Sequence, residues 1–307
     1  MKKTLLAILL ILASFVPVFA IFGTAGGAAP FLRTGAGARA LSLSGAFTAY
    51  YDDATCPYWN PASIGLFKQA SVSSMFSWLT QERSYSFFNA AFPSEYGSFA
   101  LNLINFSAGQ IEGRLTDTSN FYTFTDSESA YFMTYGRQIF KNICVGLNLK
   151  YIRESLDTYG ANGLSADLGA LIKFNDFVSF GLVFQDLAGN LLWTTGLNEK
   201  IPLLMRMGTL LRFMDGDIKW SLDAEDNEFE GVSFKSGIEA VMIKIISLRA
   251  GVSYGASSYA FDYTFGGGLK YAFGNFIFQL DYCFMKEEFY TVFEANHKIS
   301  LDVYFDI

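Results

Sequence analysis

"ICVGLNLKY", residues 143–151, decides the fold class. Its odd positions (Ile143, Val145, Leu147, Leu149, Tyr151) are apolar, while the even ones (Cys144, Gly146, Asn148, Lys150) are small or polar. A repeat of two is what a strand with one greasy face requires. The pattern returns in 164–174, where Leu164, Leu168 and Ile172 oppose Ser165, Asp167 and Lys173, and in 218–225, where Ile218, Trp220 and Leu222 oppose Lys219, Ser221 and Asp223. Clear copies follow at 232–240, 246–254, 261–273 and 297–307. Weaker ones at 68–78, 84–92, 97–107, 128–138, 177–187, 203–213 and 276–286 bring the total to about fourteen strands of ~10 residues, the length a tilted membrane-spanning strand needs.

Composition says which face meets what. The chain is 51% hydrophobic, 17% aromatic and only 17% charged, greasier than an ordinary secreted domain. Yet after residue 20 no apolar run approaches the ~18 residues of a spanning helix. A closed barrel is the other structure that satisfies every backbone group in lipid. A soluble sandwich would turn its polar face outward and use shorter strands. The expected fold is therefore all-β: a transmembrane antiparallel barrel, with grease outside and Lys150, Asp167, Lys173, Asp186, Arg206, Arg212, Lys219, Asp223, Lys235, Glu239, Arg249, Asp262, Lys270, Asp281, Lys298 and Asp302 facing the lumen. Both signs in that phase imply a wet or ion-paired interior. Tight connections at 93–97, 139–142, 175–176, 214–217 and 274–275 alternate with long ones at 108–127, 188–202 and 287–295, the asymmetry of short periplasmic turns and longer outer loops.

The amino terminus reads as a secretory signal. Lys2 and Lys3 precede an apolar run, Pro17 breaks it, and Val18-Phe19-Ala20 places small residues for cleavage after Ala20. Removing the two lysines takes the formal charge from -7 to -9. So acidic a chain does not suit nucleic acid. The segment 21–66 is rich in Gly and Ala, and a barrel of about fourteen strands leaves a lumen that something must occupy. Residues 21–66 are expected to fold inside as a plug, with a short helix over 39–49, and 67–307 to form the wall.

Within the plug, "GARALSLSGAFTAYYDDATCPYWNPASIG", residues 37–65, resembles the amino-terminal signature of the PorV/PorQ group of outer-membrane proteins, themselves similar to the FadL fatty-acid channels. The residues that carry the resemblance are Gly37, Arg39, Gly45, Ala46, Phe47, Ala49, Asp52, Asp53, Ala54, Trp59, Asn60, Pro61 and Ala62. "IPLLMRMG" (201–208) and "HKISLDVYF" (297–305) add to it. The resemblance implies a fourteen-stranded FadL-type barrel in the bacterial outer membrane, with an internal plug. PorV-type function implies binding exported cargo, through its carboxy-terminal domains, at a type IX secretion translocon. FadL-type function implies uptake of hydrophobic small molecules such as long-chain fatty acids. Two departures are visible: the chain is short for PorV itself, and it ends Phe305-Asp306-Ile307 rather than on an aromatic residue. A cargo binder should show aromatics at its outer loops, for which Phe121, Tyr122 and Phe124 in 120–126 and Leu191, Leu192 and Trp193 in 190–197 are the candidates. A channel should show an apolar path to a weakened wall, with Gly181 or Gly266-Gly267-Gly268 as weak points. The aromatic loops favour the cargo reading.

Other motifs point away from chemistry. Asp52 and Asp53 are adjacent, so on an extended chain they diverge and cannot jointly clamp one ion without a special turn; a salt bridge to a lumenal Arg or Lys is the alternative role. One of them is expected to accept hydrogen bonds from plug amides. Trp59 is expected to pack. "GVSYG" (251–255) has the form of a nucleophile elbow. However, Ser253 lies in lumenal phase inside a strand and His297, the sole histidine, lies in lipid-facing phase, so no dyad forms and no enzyme is expected. The glycine runs lack the ending of a phosphate loop. The acidic "DAEDNEFE" (223–230) reads as a solvated outer hairpin without EF-hand spacing. Cys56, Cys144 and Cys283 are widely separated, so no obligatory disulfide, no metal and no cofactor are expected.

Overall fold

The computed structural model describes residues 27–114, 116, 119–255, 260–289 and 292–306, giving the backbone alone for 260, 286–289 and 292–295. The signal-peptide expectation for 1–20 and the start of the 21–66 segment lie outside the described residues. Strands run in order β1 (Ala70–Trp78), β2 (Ser84–Phe92), β3 (Ser98–Gly113), β4 (Tyr122–Phe140), β5 (Ile143–Leu156), β6 (Tyr159–Lys173), β7 (Val178–Trp193), β8 (Asn198–Lys200), β9 (Leu204–Phe213), β10 (Ile218–Asn227), β11 (Gly231–Met242), β12 (Ile246–Gly255), β13 (Ala260–Phe273), β14 (Phe276–Phe289) and β15 (Val292–Phe305). The short β8 pairs only with β7; the other fourteen form one antiparallel ring. The ring closes where β1 meets β15, with Ala70 opposite Phe305 and Trp78 opposite His297.

The alternation falls as read from sequence. Leu149 and Leu168 are 58% and 50% exposed, whereas Lys150 and Asp167 between them are buried. Trp220 also faces out and Lys219 in. No helix among the described residues is long and apolar enough to cross a membrane. Lipid on the outside face is what this surface requires, because dozens of exposed large apolar side chains would otherwise meet water.

Much of the long outer loop expected at 108–127, 188–202 and 287–295 is strand among the described residues. β3 and β4 extend to Gly113 and from Tyr122, β7 continues to Trp193, and β14 and β15 reach Phe289 and start at Val292. The periodicity misled because polarity reverses along these extensions. In β4, Thr123, Thr125 and Ser127 point outward, while Phe124, Asp126 and Glu128 take the inward phase. A strand of 19 residues tilted by about 45° rises ~45 Å, well past an apolar belt ~25 Å tall. Above the bilayer the outside meets water and becomes polar. Both barrel termini lie at the other end, here called the inner end, with the turns after β2, β4, β6, β9, β11 and β13.

The amino-terminal segment occupies the lumen. It consists of 3-10 turns at Pro30–Arg33 and Pro61–Leu66 and single α-turns at Ala38–Leu41 and Cys56–Trp59. The helix expected over 39–49 is a single turn, ended by positive φ at Ser44 (55°) and Gly45 (74°). A ring of lumen-facing glycines lets this segment press against the wall. A Cβ on Gly181 would lie 2.1 Å from Thr48 O, one on Gly169 2.3 Å from Asn60 Oδ1, and one on Gly251 2.4 Å from Ser44 N. Gly146 meets Pro61, Gly237 meets Leu43 and Gly266 meets Ser42 in the same way. Gly181 and Gly266 therefore are plug seats, not weak points, while a Cβ on Gly268 would meet the wall residues Asp281 and Arg249; at Gly181 and at 266–268 the pairing with both neighbouring strands is continuous.

Candidate functional site

The lumen has two storeys, divided by the plug. The inner one is organised by Arg39, 4% exposed on the Ala38–Leu41 turn. Its guanidinium donates in a fork to Glu239, Nε to Oε1 at 3.0 Å and Nη2 to Oε2 at 2.8 Å. Nη1 donates to Asp53 Oδ2 at 3.2 Å and to the carbonyl of Asp52 at 3.1 Å, while the Asp52 carboxylate stands 3.5 Å from Nη2. Glu239 also receives Lys219 Nζ at 2.9 Å and Arg249 Nε at 2.7 Å, and Arg249 passes on to Asp281 at 2.6 Å. Lys219 returns to Asp52 at 3.1 Å. Each charge has an opposite neighbour, the condition under which burial of ions is tolerated. Burial alone would raise the Asp52 carboxyl, but Arg39, Lys219 and Arg212 outweigh it and hold it well below the usual carboxylate range. The network borders a cavity of about 420 Å³ at the inner end.

The special turn that Asp52 and Asp53 need to act together is present, and it brings both to one guanidinium. Asp53 also takes the expected role, its Oδ1 accepting from the Thr55 amide at 2.9 Å and the Thr55 hydroxyl at 2.6 Å. The other signature residues tie the plug together. Gly37 (φ 84°) leaves room beside Thr55, and Gly45 leaves room beside Trp59. Phe47 stacks on Tyr50 at 4.1 Å. Trp59 donates Nε1–H to Ala36 O at 2.8 Å, and the Arg206 guanidinium lies 5.1 Å from its ring. Asn60 is extended, as a residue before proline must be, and its side chain donates to Thr48 O and to the β6 carbonyl of Ala170 while accepting from the Ala62 amide. Pro61 sits against Gly146 and Gly169, and Ala62 packs with Cys144 and Leu171.

Two further charge groups lie above. Lys150 bridges Asp167 (2.7 Å) and Asp186 (2.9 Å), and Asn148 donates to both Asp167 and the plug carbonyl of Pro57. Asp186 reaches inward beside Gln185 because β7 carries extra residues there, with positive φ at Asp186 and Ala188 and shifted register against β6. Glu225 accepts from Arg206 at 2.6 Å and Lys235 at 2.8 Å, and Asp223 receives the Thr48 amide at 2.9 Å. The acidic stretch 223–230 is thus strand through Asn227, with Asp223 and Glu225 turned inward, and only 228–230 form the turn of the hairpin, where Glu228 pairs with Lys200. Arg212 lies over Tyr51 (4.3 Å) and Lys270 over Tyr304 (5.6 Å), both toward the inner end, while Asp262 is exposed on β13 near the outer one. Ser253 faces in, while His297 faces out and bonds Tyr282 Oη through Nδ1 at 2.7 Å.

The outer storey differs. Its wall presents Met75, Tyr85, Phe87, Ile104, Phe132, Ile152 and Leu191 inward, packed in one cluster with plug residues Phe31, Leu32 and Tyr58. Tyr58 meets Phe87 edge-on at 6.1 Å. Of the loop candidates, only Phe121 lies between strands, under the Arg114 guanidinium at 3.8 Å. Tyr122 and Phe124 belong to β4 with rings 5.9 Å apart, and Leu191, Leu192 and Trp193 belong to β7. Leu191 is fully buried, Leu192 points out, and Trp193 donates to Glu199 at 2.8 Å. Sequence reasoning missed this storey because both faces are apolar there, inward Met75, Phe87 and Phe132 alternating with outward Phe76, Phe88 and Met133, which blurs the period of two.

A closed, lipid-facing antiparallel barrel with its own amino-terminal segment folded inside defines an outer-membrane barrel with a plug. Solved structures identify the variety. The toluene transporter TodX of Pseudomonas putida superposes with a TM-score of 0.61 at 14% identity, covering 88% of this chain and 97% of that one. The CymD monoaromatic hydrocarbon channel gives 0.57 at 16% identity, covering 89% and 98%. A FadL homologue of Pseudomonas aeruginosa gives 0.59 at 11%, covering 88% and 98%. The fold is the FadL-like plugged barrel. No protein-family model matches the sequence, and no curated protein is similar to it.

Proposed function

We propose that this protein is an outer-membrane channel for hydrophobic small molecules. The observation that carries the reading is the outer storey, an apolar inward wall above the plug, where a water-filled pore would be polar. An apolar lining offers a hydrophobic solute an environment that the surrounding aqueous mouth does not. The paired charges below keep the plug in place, and the solute's exit requires the plug or wall to yield. The three superposed structures, described as channels or homologues of channels for such solutes, support the same reading. The PorV/PorQ cargo reading now rests on the 37–65 signature alone, because most of the aromatic residues assigned to outer loops belong to strands. The test is uptake of radiolabelled toluene by an intact bacterial host expressing the protein. Faster entry than in cells carrying an empty vector is expected. Equal entry, with the barrel demonstrably in the outer membrane, would exclude the channel.

A further inference from the structure

The outer storey holds a facing pair of like charges. Glu128 on β4 stands directly opposite Glu154 on β5, both inward and only 9% and 7% exposed. Neither takes part in an ion pair or hydrogen bond among the described residues, and Glu128 Oε2 and Glu154 Oε1 are buried without a partner. The charged groups nearest to them are acidic, Asp126 and Glu199. In the same hydrogen-bonded row, Phe106 lies opposite Glu128 on one side and opposite Tyr85 on the other. Tyr85 Oη is also fully buried and unpartnered. Facing carboxylates repel and lose hydration, whereas the buried carboxylates of Glu239, Asp167, Glu225 and Asp281 in this lumen are each answered by a Lys or Arg.

Taking the channel reading as its basis, we propose that the outer lumen recognises hydrophobic molecules bearing a protonated amine, with Glu128 and Glu154 accepting its N–H groups, and disfavours hydrophobic carboxylates. An alkylammonium supplies the missing counter-charge and donors, aromatic faces beside the pair attract the same cation, and the apolar body fits the wall. A fatty-acid carboxylate would bring further negative charge to an acidic site.

The test is equilibrium binding to the full, detergent-solubilised protein at neutral pH, using dodecylamine, dodecanol and dodecanoate. The amine is expected to bind at least about tenfold more tightly than the alcohol, as one charged hydrogen bond suffices for that factor, and the carboxylate more weakly than either. In Glu128→Gln/Glu154→Gln, which keeps shape while removing charge, amine and alcohol should converge with the alcohol unchanged. The alcohol also reports that the variant is folded. Alcohol binding without amine preference, or a preference that survives the double substitution, overturns the proposal and leaves the channel reading standing. No binding of any of the three overturns both.

Discussion

The two storeys of one lumen show opposite solutions to burying charge. In the inner storey Glu239 accepts from three cations, and the plug cannot leave without pulling Arg39 from it. In the outer storey Glu128 and Glu154 face one another with no cation near them. The first arrangement holds a fold together. The second leaves electrostatic strain that a ligand can relieve. A carboxylate substitution should therefore have opposite consequences on the two levels.

The largest effect is expected from Glu239→Gln. It leaves Arg39, Lys219 and Arg249 clustered without their shared anion, and removing one partner of a buried ion pair costs about 3–5 kcal/mol. The unfolding temperature should drop, and protease should reach residues 27–66. Gly169→Val comes next: its side chain would collide with Asn60 and Pro61, so the plug must shift, at about 1–3 kcal/mol for an overpacked contact. Increased single-channel conductance in planar bilayers would report the shift. Asn60→Ala removes bonds to Thr48, Ala170 and Ala62 and should cost a comparable 1–3 kcal/mol, roughly the penalty for buried groups left unpaired. Smallest, and opposite in sign, is Glu154→Gln, which relieves a facing like-charge pair and should raise the melting temperature by the equivalent of about 1 kcal/mol or less.

The plug should also resist acid. Arg39 and Lys219 hold the folded-state Asp52 well below the usual carboxylate range, so its stabilisation is complete above the unfolded value of about 4 and is lost only as pH falls through the lower folded value. Protease protection of residues 27–66 should persist at pH ~4 and fail below it. Release already at pH ~6 would show that Asp52 does not anchor the plug.

The membrane-level wall was legible because lipid outside and polar groups inside force a strict period of two, as in 143–151. The plug was legible from its composition, its lumen-sized length and a specific signature. Its contacts were not: nothing in the chain marks Gly181 or Gly169 as seats for Thr48 and Asn60, since a glycine in a strand reads equally as a weak point. The partners of Arg39 are 200 residues away at Glu239 and become neighbours only when the ring closes. The shared grip of Asp52 and Asp53 depends on a local turn that adjacency alone does not reveal. The outer extensions were hidden because their polarity reverses where the bilayer ends, so Thr123, Thr125 and Asp126 looked like loop.

That reversal is the central claim, and a nitroxide scan along β4 tests it most directly. Labels at Tyr131 and Met133 should be relaxed by oxygen dissolved in lipid, and labels at Thr123 and Thr125 by a water-soluble nickel complex, with the crossover between them. Lipid-like accessibility at all four outward positions would contradict the account, because β4 would then have no water-exposed extension.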